Sequence, residues 1–192
     1  MKKLISLTLS AALCLGLFAG CGKQSAPVTT ETTAPAYASS LEVLEKVWAT
    51  FPEEDRFPAA GGDEAHDTTD GPGAFDINAY GESFQYQTLV DENLTGKLTG
   101  DAATLIHMMN TNTFCSAVME LKNAGEASSF AEVYKEIVQG NHWMCGFPDT
   151  LVVLSLGNFV LTAYGADDLI QLFKSGAQSL GATLLVEAPA EA

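Results

Sequence analysis

The sequence predicts an α+β fold built on an antiparallel sheet, with the split β-α-β (ferredoxin-like) order in its C-terminal part, residues 113–188. Two observations predict it. Apolar residues recur at strand and helix spacing in the order strand, helix, strand, strand, helix, strand. In addition, Gly157-Asn158 separates two apolar runs, as in a two-residue hairpin turn. Right-handed crossovers in this order would place both helices on one face of the sheet.

The N-terminal part, residues 39–112, is predicted to be helical and rich in loops. Ser39 has capping-box spacing to a Glu three residues later, and the apolar residues that follow at helical spacing predict a helix that ends before Pro52. We expect this helix and a short apolar helix at 101–109 to cover the open face of the sheet. The N-terminal part would then form one compact unit with residues 113–188.

Two stretches of the N-terminal part show weaker patterns. Residues 52–83 contain many Gly and Pro residues and predict a long irregular loop. Such a loop is unusual in a compact domain and is typical of a functional or partly mobile segment. Residues 84–90 predict a weak strand or a turn.

The elements of the C-terminal part follow from periodicity and from the residues that end them. Ser129 has capping-box spacing to Glu132 and is predicted to begin a helix. Glycines end several of the segments, because they favour turns. The predicted elements are a strand at 113–121, a helix at 129–139, a hairpin of strands at 151–156 and 159–164, a helix from 167 or 168 to 180, and a last strand at 183–186.

The charge balance excludes two classes of partner. The chain has 9 Lys and Arg residues against 24 Asp and Glu residues, which gives a formal net charge of -15. Nucleic acid binding needs basic groups that displace counterions from phosphates, and an acidic chain does not supply them. Anionic lipid headgroups would repel the same charge, so no polybasic membrane patch is expected.

The N-terminus predicts an export signal. Lys2 and Lys3 are followed by an uncharged apolar run, and small residues at Ala19 and Gly20 directly precede Cys21. This arrangement is typical of a signal peptide that is cleaved after residue 20. An uncleaved anchor remains an alternative, because the apolar run approaches the length that spans a bilayer. Plain secretion is the other alternative.

The cleavage site resembles the lipobox of bacterial lipoproteins. In that family the Cys becomes the first residue after cleavage and carries a diacylglyceryl group, which implies lipidation of Cys21 here. Phe18 stands where the family usually has Leu. Residues 21–38 are rich in Thr and Pro and are predicted to be a flexible tether, with a reach of about 20–25 Å. The protein would then lie on the extracytoplasmic face of the cell membrane.

The loop at 52–83 contains a group of acidic residues. Asp63, Asp67 and Asp70 are candidate ligands for calcium, which prefers several carboxylate and carbonyl oxygens. The loop lacks the alternating acids of an EF-hand. We therefore expect a solvated acidic loop whose aspartates contribute little to stability, with a calcium site as the alternative.

Soft metal ligands occur in two short groups. If the groups met in space, they could hold a soft metal such as Cu(I). Packing in the core is the preferred interpretation, because both groups have apolar neighbours and Met is common core filler. The residues are His107, Met108 and Met109 in the first group and His142, Met144 and Cys145 in the second.

The pattern of the remaining cysteines and the lack of common catalytic motifs favour a protein without catalytic activity. Cys115 and Cys145 are candidates for a disulfide in an exported protein. Cys145 has no second Cys at C-x-x-C spacing, so it does not predict a dithiol redox site. The sequence also has no G-x-S-x-G, H-E-x-x-H or P-loop motif. No cofactor is predicted.

The region from about 101 to 180 resembles a group of small lipoproteins from Gram-positive gut clostridia. Some of these proteins are labelled bacteriocin transport accessory proteins, so the resemblance implies an exported α+β lipoprotein linked to peptide transport. The residues that carry it are the segment 105–109, the strand at 114–121, Trp143 after the helix that ends at Gln139, and the Gly157-Asn158 hairpin.

These observations lead to three hypotheses of function. The first is a membrane-tethered, non-catalytic binding or accessory module that acts on an envelope protein, an exporter or a peptide. The alternative is an envelope hydrolase or metal-dependent enzyme that uses the acidic loop at 52–83. The third is a soft-metal or redox carrier built on Cys145.

Overall fold

The computed structural model describes residues 37–109 and 113–191. The expected signal peptide, Cys21 and all but the last two residues of the expected tether lie outside these ranges. The described residues form an antiparallel sheet of seven strands with helices packed against it, which confirms the α+β class. None of the helices in this part of the chain is long and apolar enough to cross a membrane.

The elements are numbered along the chain. The strands are β1 (Ala59–Ala60), β2 (Gly73–Asp76), β3 (Leu98–His107), β4 (Phe114–Leu121), β5 (Thr150–Leu156), β6 (Phe159–Gly165) and β7 (Thr183–Pro189). The helices are α1 (Ser40–Ala49), α2 (Ile77–Thr88), α3 (Glu92–Thr95), α4 (Ala127–Gln139) and α5 (Asp167–Ser179).

The hairpin between β5 and β6 has the predicted two-residue turn. Leu156 pairs with Phe159, so that only Gly157 and Asn158 lie between the strands. Gly157 has a φ of 59°. A positive φ at the first turn position fits a type II′ turn, which suits the right-handed twist of the strands. The hairpin lies inside the sheet, where β6 pairs with β4 and β5 pairs with β7.

The order of the sheet differs from the ferredoxin-like order at its last strand. The order is β1-β3-β4-β6-β5-β7, and β2 also pairs with β3. The unit β4-α4-β5, with β6 between its strands, is a split β-α-β unit as predicted. In a ferredoxin-like sheet β7 would then lie beside β4. Instead β3 occupies that position, and β7 lies at the far edge beside β5.

This order explains why α4 and α5 lie on opposite faces of the sheet. The chain crosses from β4 to β5 through α4 and from β6 to β7 through α5. Each crossover passes over one strand, and both run in the same direction across the sheet. Their first strands, β4 and β6, are antiparallel. A right-handed crossover therefore places the two helices on opposite faces. Phe130 and Tyr134 of α4 belong to one core cluster, and Ile170 and Phe173 of α5 belong to the other. The prediction that both helices share a face is wrong.

The N-terminal helices complete the two outer layers. α1 packs on the α5 face through Val43, Leu44 and Val47. Phe84 of α2 is buried on the α4 face. The sheet is therefore covered on both sides, and its central strands are apolar at nearly every position, as expected for strands without a solvent face. Tyr37, expected in the tether, already packs against the cluster on the α1 side.

Three N-terminal segments differ from the predicted secondary structure. Residues 52–83, expected to form one long irregular loop, contain β1, β2 and the first residues of α2. Residues 101–107, expected to be helical, belong to the long strand β3. Because β3 is buried on both faces, its continuous apolar run does not alternate, and such a run looks the same in a helix and a strand. Residues 84–88, expected to be a weak strand or turn, form the end of α2, which has only three buried residues and thus a faint helical pattern.

Helix starts were predicted with mixed success. The Ser39 side chain accepts a hydrogen bond from the Glu42 N–H at 3.2 Å, which confirms the predicted cap of α1. The prediction for Ser129 is wrong, because α4 begins at Ala127. The Ser129 hydroxyl instead donates to the Glu126 carbonyl at 2.9 Å, inside the first turn of the helix.

We predict that Gly157→Val lowers the free energy of unfolding by about 1 kcal/mol or more, because a β-branched residue is strained at positive φ. Thermal or urea unfolding measures the change. The control is Gly81→Ala in α2, where an added Cβ likewise meets nothing within 4 Å but φ is not positive. That variant should be neutral or slightly more stable. Equal losses in both variants would contradict the turn assignment.

Candidate functional site

A cleft of about 700 Å³ lies between the C-terminal end of α2 and the segment 140–148 that follows α4. We call it the aromatic cleft, because Tyr86, Trp143 and Tyr164 line it. The rings of Trp143 and Tyr164 are 5.2 Å apart. A volume of this size is within the range of ligand-binding pockets in proteins.

The end of α2 is held in place by three buried side chains from other elements. The Cys115 thiol and the Tyr164 hydroxyl both donate to the Gln87 carbonyl, at 3.2 and 3.0 Å. The Tyr134 hydroxyl donates to the Thr88 carbonyl at 3.0 Å. The last carbonyls of a helix have no partner within the helix, so these bonds satisfy them and fix one wall of the cleft.

Burial keeps these three donors protonated. It raises the pKa of the Cys115 thiol to about 12, in spite of the hydrogen bond with Tyr164, and it raises the pKa values of Tyr134 and Tyr164 well above the usual range. A thiol with such a high pKa is a poor nucleophile. Cys115 is therefore a structural donor. Both Cys115 and Cys145 are free thiols in this structure, the first buried and the second exposed.

The residue that ends α2 has an unusual backbone conformation. Leu89 has a φ of 62°, a left-handed value that Gly or Asn usually provides at the end of a helix. Its side chain lines the aromatic cleft. A non-glycine residue in this region costs of order 1 kcal/mol, and such strain occurs often at binding sites.

The mouth of the cleft exposes large apolar side chains to solvent. Tyr86 is 89% exposed and Met144 is 87% exposed, and Phe147 nearby is also exposed. Large apolar groups that cluster on the surface commonly mark an interaction site.

Two buried polar atoms in this region lack a hydrogen-bond partner among the described residues. They are the indole N–H of Trp143, a donor, and the side-chain oxygen of Gln87, an acceptor. An unsatisfied buried polar group costs about 1–3 kcal/mol. Trp143 lines the aromatic cleft and Gln87 does not. A ligand that offers an acceptor to the indole N–H, as a peptide carbonyl does, would recover part of this free energy.

The charged residues around the cleft are acidic. Glu82 and Asp91 line it, and its described lining contains no Lys or Arg. Asp91 also accepts a hydrogen bond from the Leu94 N–H at 3.1 Å and so caps α3. His142, also in the lining, is exposed.

The two groups of soft ligands predicted from the sequence do not form one site. His142 and Met144 line the aromatic cleft, whereas His107 lines a second cleft on the α5 face. Within the described residues there is no group of three or more His, Cys, Asp or Glu side chains that could hold a metal ion. The preference for core packing is wrong for three methionines, because Met108, Met109 and Met144 are all more than half exposed.

The second cleft has a volume of about 460 Å³ and contains a neutral histidine. The His107 ring stacks on Phe57 at 4.6 Å, and its Nδ1 accepts a hydrogen bond from the Met109 N–H at 2.9 Å. Burial lowers the pKa of His107, and this bond favours the tautomer with the proton on Nε2. Asp55 and Asp168 also line this cleft.

The acidic loop is organised around Asp63, which was expected to be solvated. The Asp63 side chain is fully buried, and one carboxylate oxygen accepts hydrogen bonds from the N–H groups of Ala65 and His66 and from the His66 ring. The other oxygen accepts from the Asp76 N–H at 2.8 Å. The carboxylate thus accepts hydrogen bonds from backbone N–H groups of the loop and of β2, and it links the loop to the residue before α2.

The three aspartates proposed as calcium ligands are not equivalent. Asp67 and Asp70 are exposed, while the oxygens of Asp63 are occupied by protein donors. Burial by itself raises the pKa of Asp63, but the hydrogen bonds from Asp76, His66 and Ala65 together lower it below its usual value. The expectation of a solvated side chain is therefore wrong for Asp63.

We predict that Asp63→Asn lowers the free energy of unfolding by about 1–3 kcal/mol at neutral pH, because an amide cannot accept all of these hydrogen bonds. Since the folded pKa of Asp63 is lowered, its contribution is present above the unfolded pKa and is lost as pH falls through the folded pKa. Urea unfolding measured from pH 7 down to the acid range should show the two proteins converging.

The controls for this prediction are Asp67→Asn and Asp70→Asn. Both change the same charge in the same loop at exposed positions. They should alter stability by less than about 0.5 kcal/mol at any pH. A loss in these variants as large as in Asp63→Asn would contradict the role of the buried carboxylate.

No protein-family model, curated protein or solved structure matches this chain. The interpretation of the site therefore rests on its geometry and chemistry. The resemblance to clostridial lipoproteins stays a prediction.

Proposed function

We propose that the protein is a lipoprotein tethered to the extracytoplasmic face of the cell membrane and that its domain is a non-catalytic binding module. In this proposal the aromatic cleft takes an apolar side chain from a peptide or from an envelope protein. The observation that carries it is the exposure of Tyr86 and Met144 beside the aromatic floor of the cleft.

Three features of the cleft support binding. Aromatic and Met side chains are enriched in protein interfaces, because they offer much apolar area. The indole N–H of Trp143, which lines the cleft and has no partner among the described residues, suits a peptide carbonyl. Leu89, in one wall of the cleft, has a left-handed backbone conformation that a leucine does not favour, and such strain occurs often at binding sites.

The tethered location is supported by the N-terminal sequence alone. Ala19, Gly20 and Cys21 follow an uncharged apolar run, as at a lipoprotein cleavage site. Two acyl chains on Cys21 would provide stable anchoring, since one chain binds only marginally. A link to an exporter or to bacteriocin transport rests on the sequence resemblance.

The chemistry of the described residues does not favour the enzyme alternative. The loop between β1 and β2 uses the buried carboxylate of Asp63 to bind backbone N–H groups of the loop and of β2. Cys115 is held as a protonated donor, and the Nδ1 atom of His107 is occupied by a backbone N–H. We therefore advance no second function.

The tether is tested by Cys21→Ala. We expect the variant to stay as an unprocessed precursor or to leave the membrane fraction, because no thiol remains to be lipidated. Cell fractionation and metabolic labelling with a fatty acid measure this. Cys14→Ala, which changes a cysteine inside the expected signal peptide, is the control and should be processed normally. Continued labelling and cleavage of the Cys21 variant would overturn the proposed anchor.

The cleft is tested by a photo-crosslinking residue placed at Tyr86 or at Met144 in cells that make the full chain. We expect a defined adduct from both positions. The control position is Val133, an exposed apolar residue of α4 that does not line the cleft. The adduct should also be lost when Trp143 is changed to Ala, because the floor of the cleft is removed. Equal adducts from all three positions, or none at Tyr86 and Met144, would contradict binding at this site.

A further inference from the structure

Five large exposed apolar side chains gather at one end of the sheet, which we call the apolar end. The strand pairs place their segments at this end: β3 ends where β4 and β5 begin and where β6 ends, with Ile106 opposite Cys115 and Thr150 opposite Gly165. The end of α2 lies at the same end of the sheet, because the Gln87 carbonyl accepts a hydrogen bond from the Cys115 thiol at the start of β4. The five residues are Tyr86, Met108, Met109, Met144 and Phe147.

Methionine dominates this surface. Three of the five residues are Met, and all three are more than half exposed. The Met side chain is unbranched, flexible and polarisable, so it adapts to apolar partners of different shape. Such a surface suits an apolar helix face or an extended segment better than one rigid small molecule.

The basic residues of the described chain are already engaged. Each one contacts a carboxylate, a carbonyl or an aromatic ring, and the acidic residues of the described chain far outnumber them. Lys46, Lys97, Lys135 and Lys174 pair with Glu residues, Lys122 donates to the Gly96 carbonyl, and Arg56 lies over the Trp48 ring.

The acidic excess reaches the apolar end on both faces of the sheet. Glu82 and Asp91 line the aromatic cleft on one face, and Asp55 and Asp168 line the second cleft on the other. Neither cleft has a Lys or Arg among its described lining residues. A partner with apolar and basic groups together would match this surface in both respects.

We propose that the partner of the apolar end is a cationic amphipathic peptide segment. Resting on the proposed function, this inference names the chemistry of the partner. An apolar side chain of the segment enters the aromatic cleft, and its Lys or Arg residues lie against Glu82 and Asp91. Apolar burial supplies most of the affinity, while the opposite charges speed association and select the partner.

The inference is tested with three synthetic peptides that share one amphipathic pattern and one Phe anchor but carry Lys, Gln or Glu at the polar positions. The full-length chain is held in nanodiscs of phosphatidylcholine, and binding is measured by calorimetry against empty nanodiscs. We expect the Lys peptide to bind about tenfold more tightly than the Gln peptide at low salt, and the Glu peptide most weakly. Added salt should remove most of this difference.

A double variant that removes two negative charges from the aromatic cleft locates the effect. Glu82→Gln with Asp91→Asn should weaken the Lys peptide several-fold and leave the Gln peptide unchanged. Asn is as good a helix cap as Asp, so α3 should persist. The matched control is Glu64→Gln with Asp67→Asn, which removes the same charge at exposed positions that line neither cleft. Equal weakening by both double variants would overturn the assignment to the cleft.

Other outcomes separate this inference from the proposed function. If the Lys and Gln peptides bind equally and Met144→Ala weakens both, the cleft binds peptides but the cationic preference is wrong. If no peptide binds and the crosslinks at Tyr86 and Met144 are also missing, both proposals fail. If the crosslinking residues at Tyr86 and Met144 join the chain to phosphatidylcholine, and these lipid adducts persist when the Lys peptide is added, the surface is assigned to lipid and the inference is overturned.

Discussion

The handedness of two overlapping crossovers sets the architecture of this domain. β4-α4-β5 and β6-α5-β7 step across the sheet in the same direction from antiparallel strands, so the same hand puts α4 and α5 on opposite faces. Both faces must then be buried, and α1 and α2 complete the two layers. Strands that are buried on both faces are apolar at nearly every position. The sequence therefore lacks the alternation of polar and apolar residues from which strand register could be predicted.

The same arrangement creates the candidate site. Phe114 and Cys115, adjacent at the start of β4, point to opposite faces, as successive residues of a strand do. Phe114 packs against Phe57 in the wall of the second cleft, while Cys115 bonds to the end of α2 beside the aromatic cleft. One short stretch of β4 therefore supports both clefts at the same end of the sheet. At this end the exposed Met and aromatic side chains lie beside two clefts whose described lining contains Asp and Glu but no Lys or Arg.

The buried polar groups of this protein serve structure more than chemistry. Asp63, Cys115 and Tyr134 each satisfy backbone groups that would otherwise lack partners, in a loop or at a helix end. Their pKa values move in the directions that keep them in these roles, with the carboxyl ionised and the thiol and phenol protonated. In these three residues the reactive groups are therefore committed to holding the backbone in place.

Local signals in the sequence determined the α+β class, the cap of α1 and the hairpin at Gly157, because each depends on neighbours along the chain. The tertiary structure decided the rest. The position of β7, the strand identity of residues 101–107 and the burial of Asp63 all depend on contacts between distant segments. The aromatic cleft does too: Tyr86, Trp143 and Tyr164 lie far apart in sequence, and no spacing rule links them. The sequence does not distinguish an apolar residue of the core from one on a binding surface, and only the fold shows which apolar residues are exposed to water.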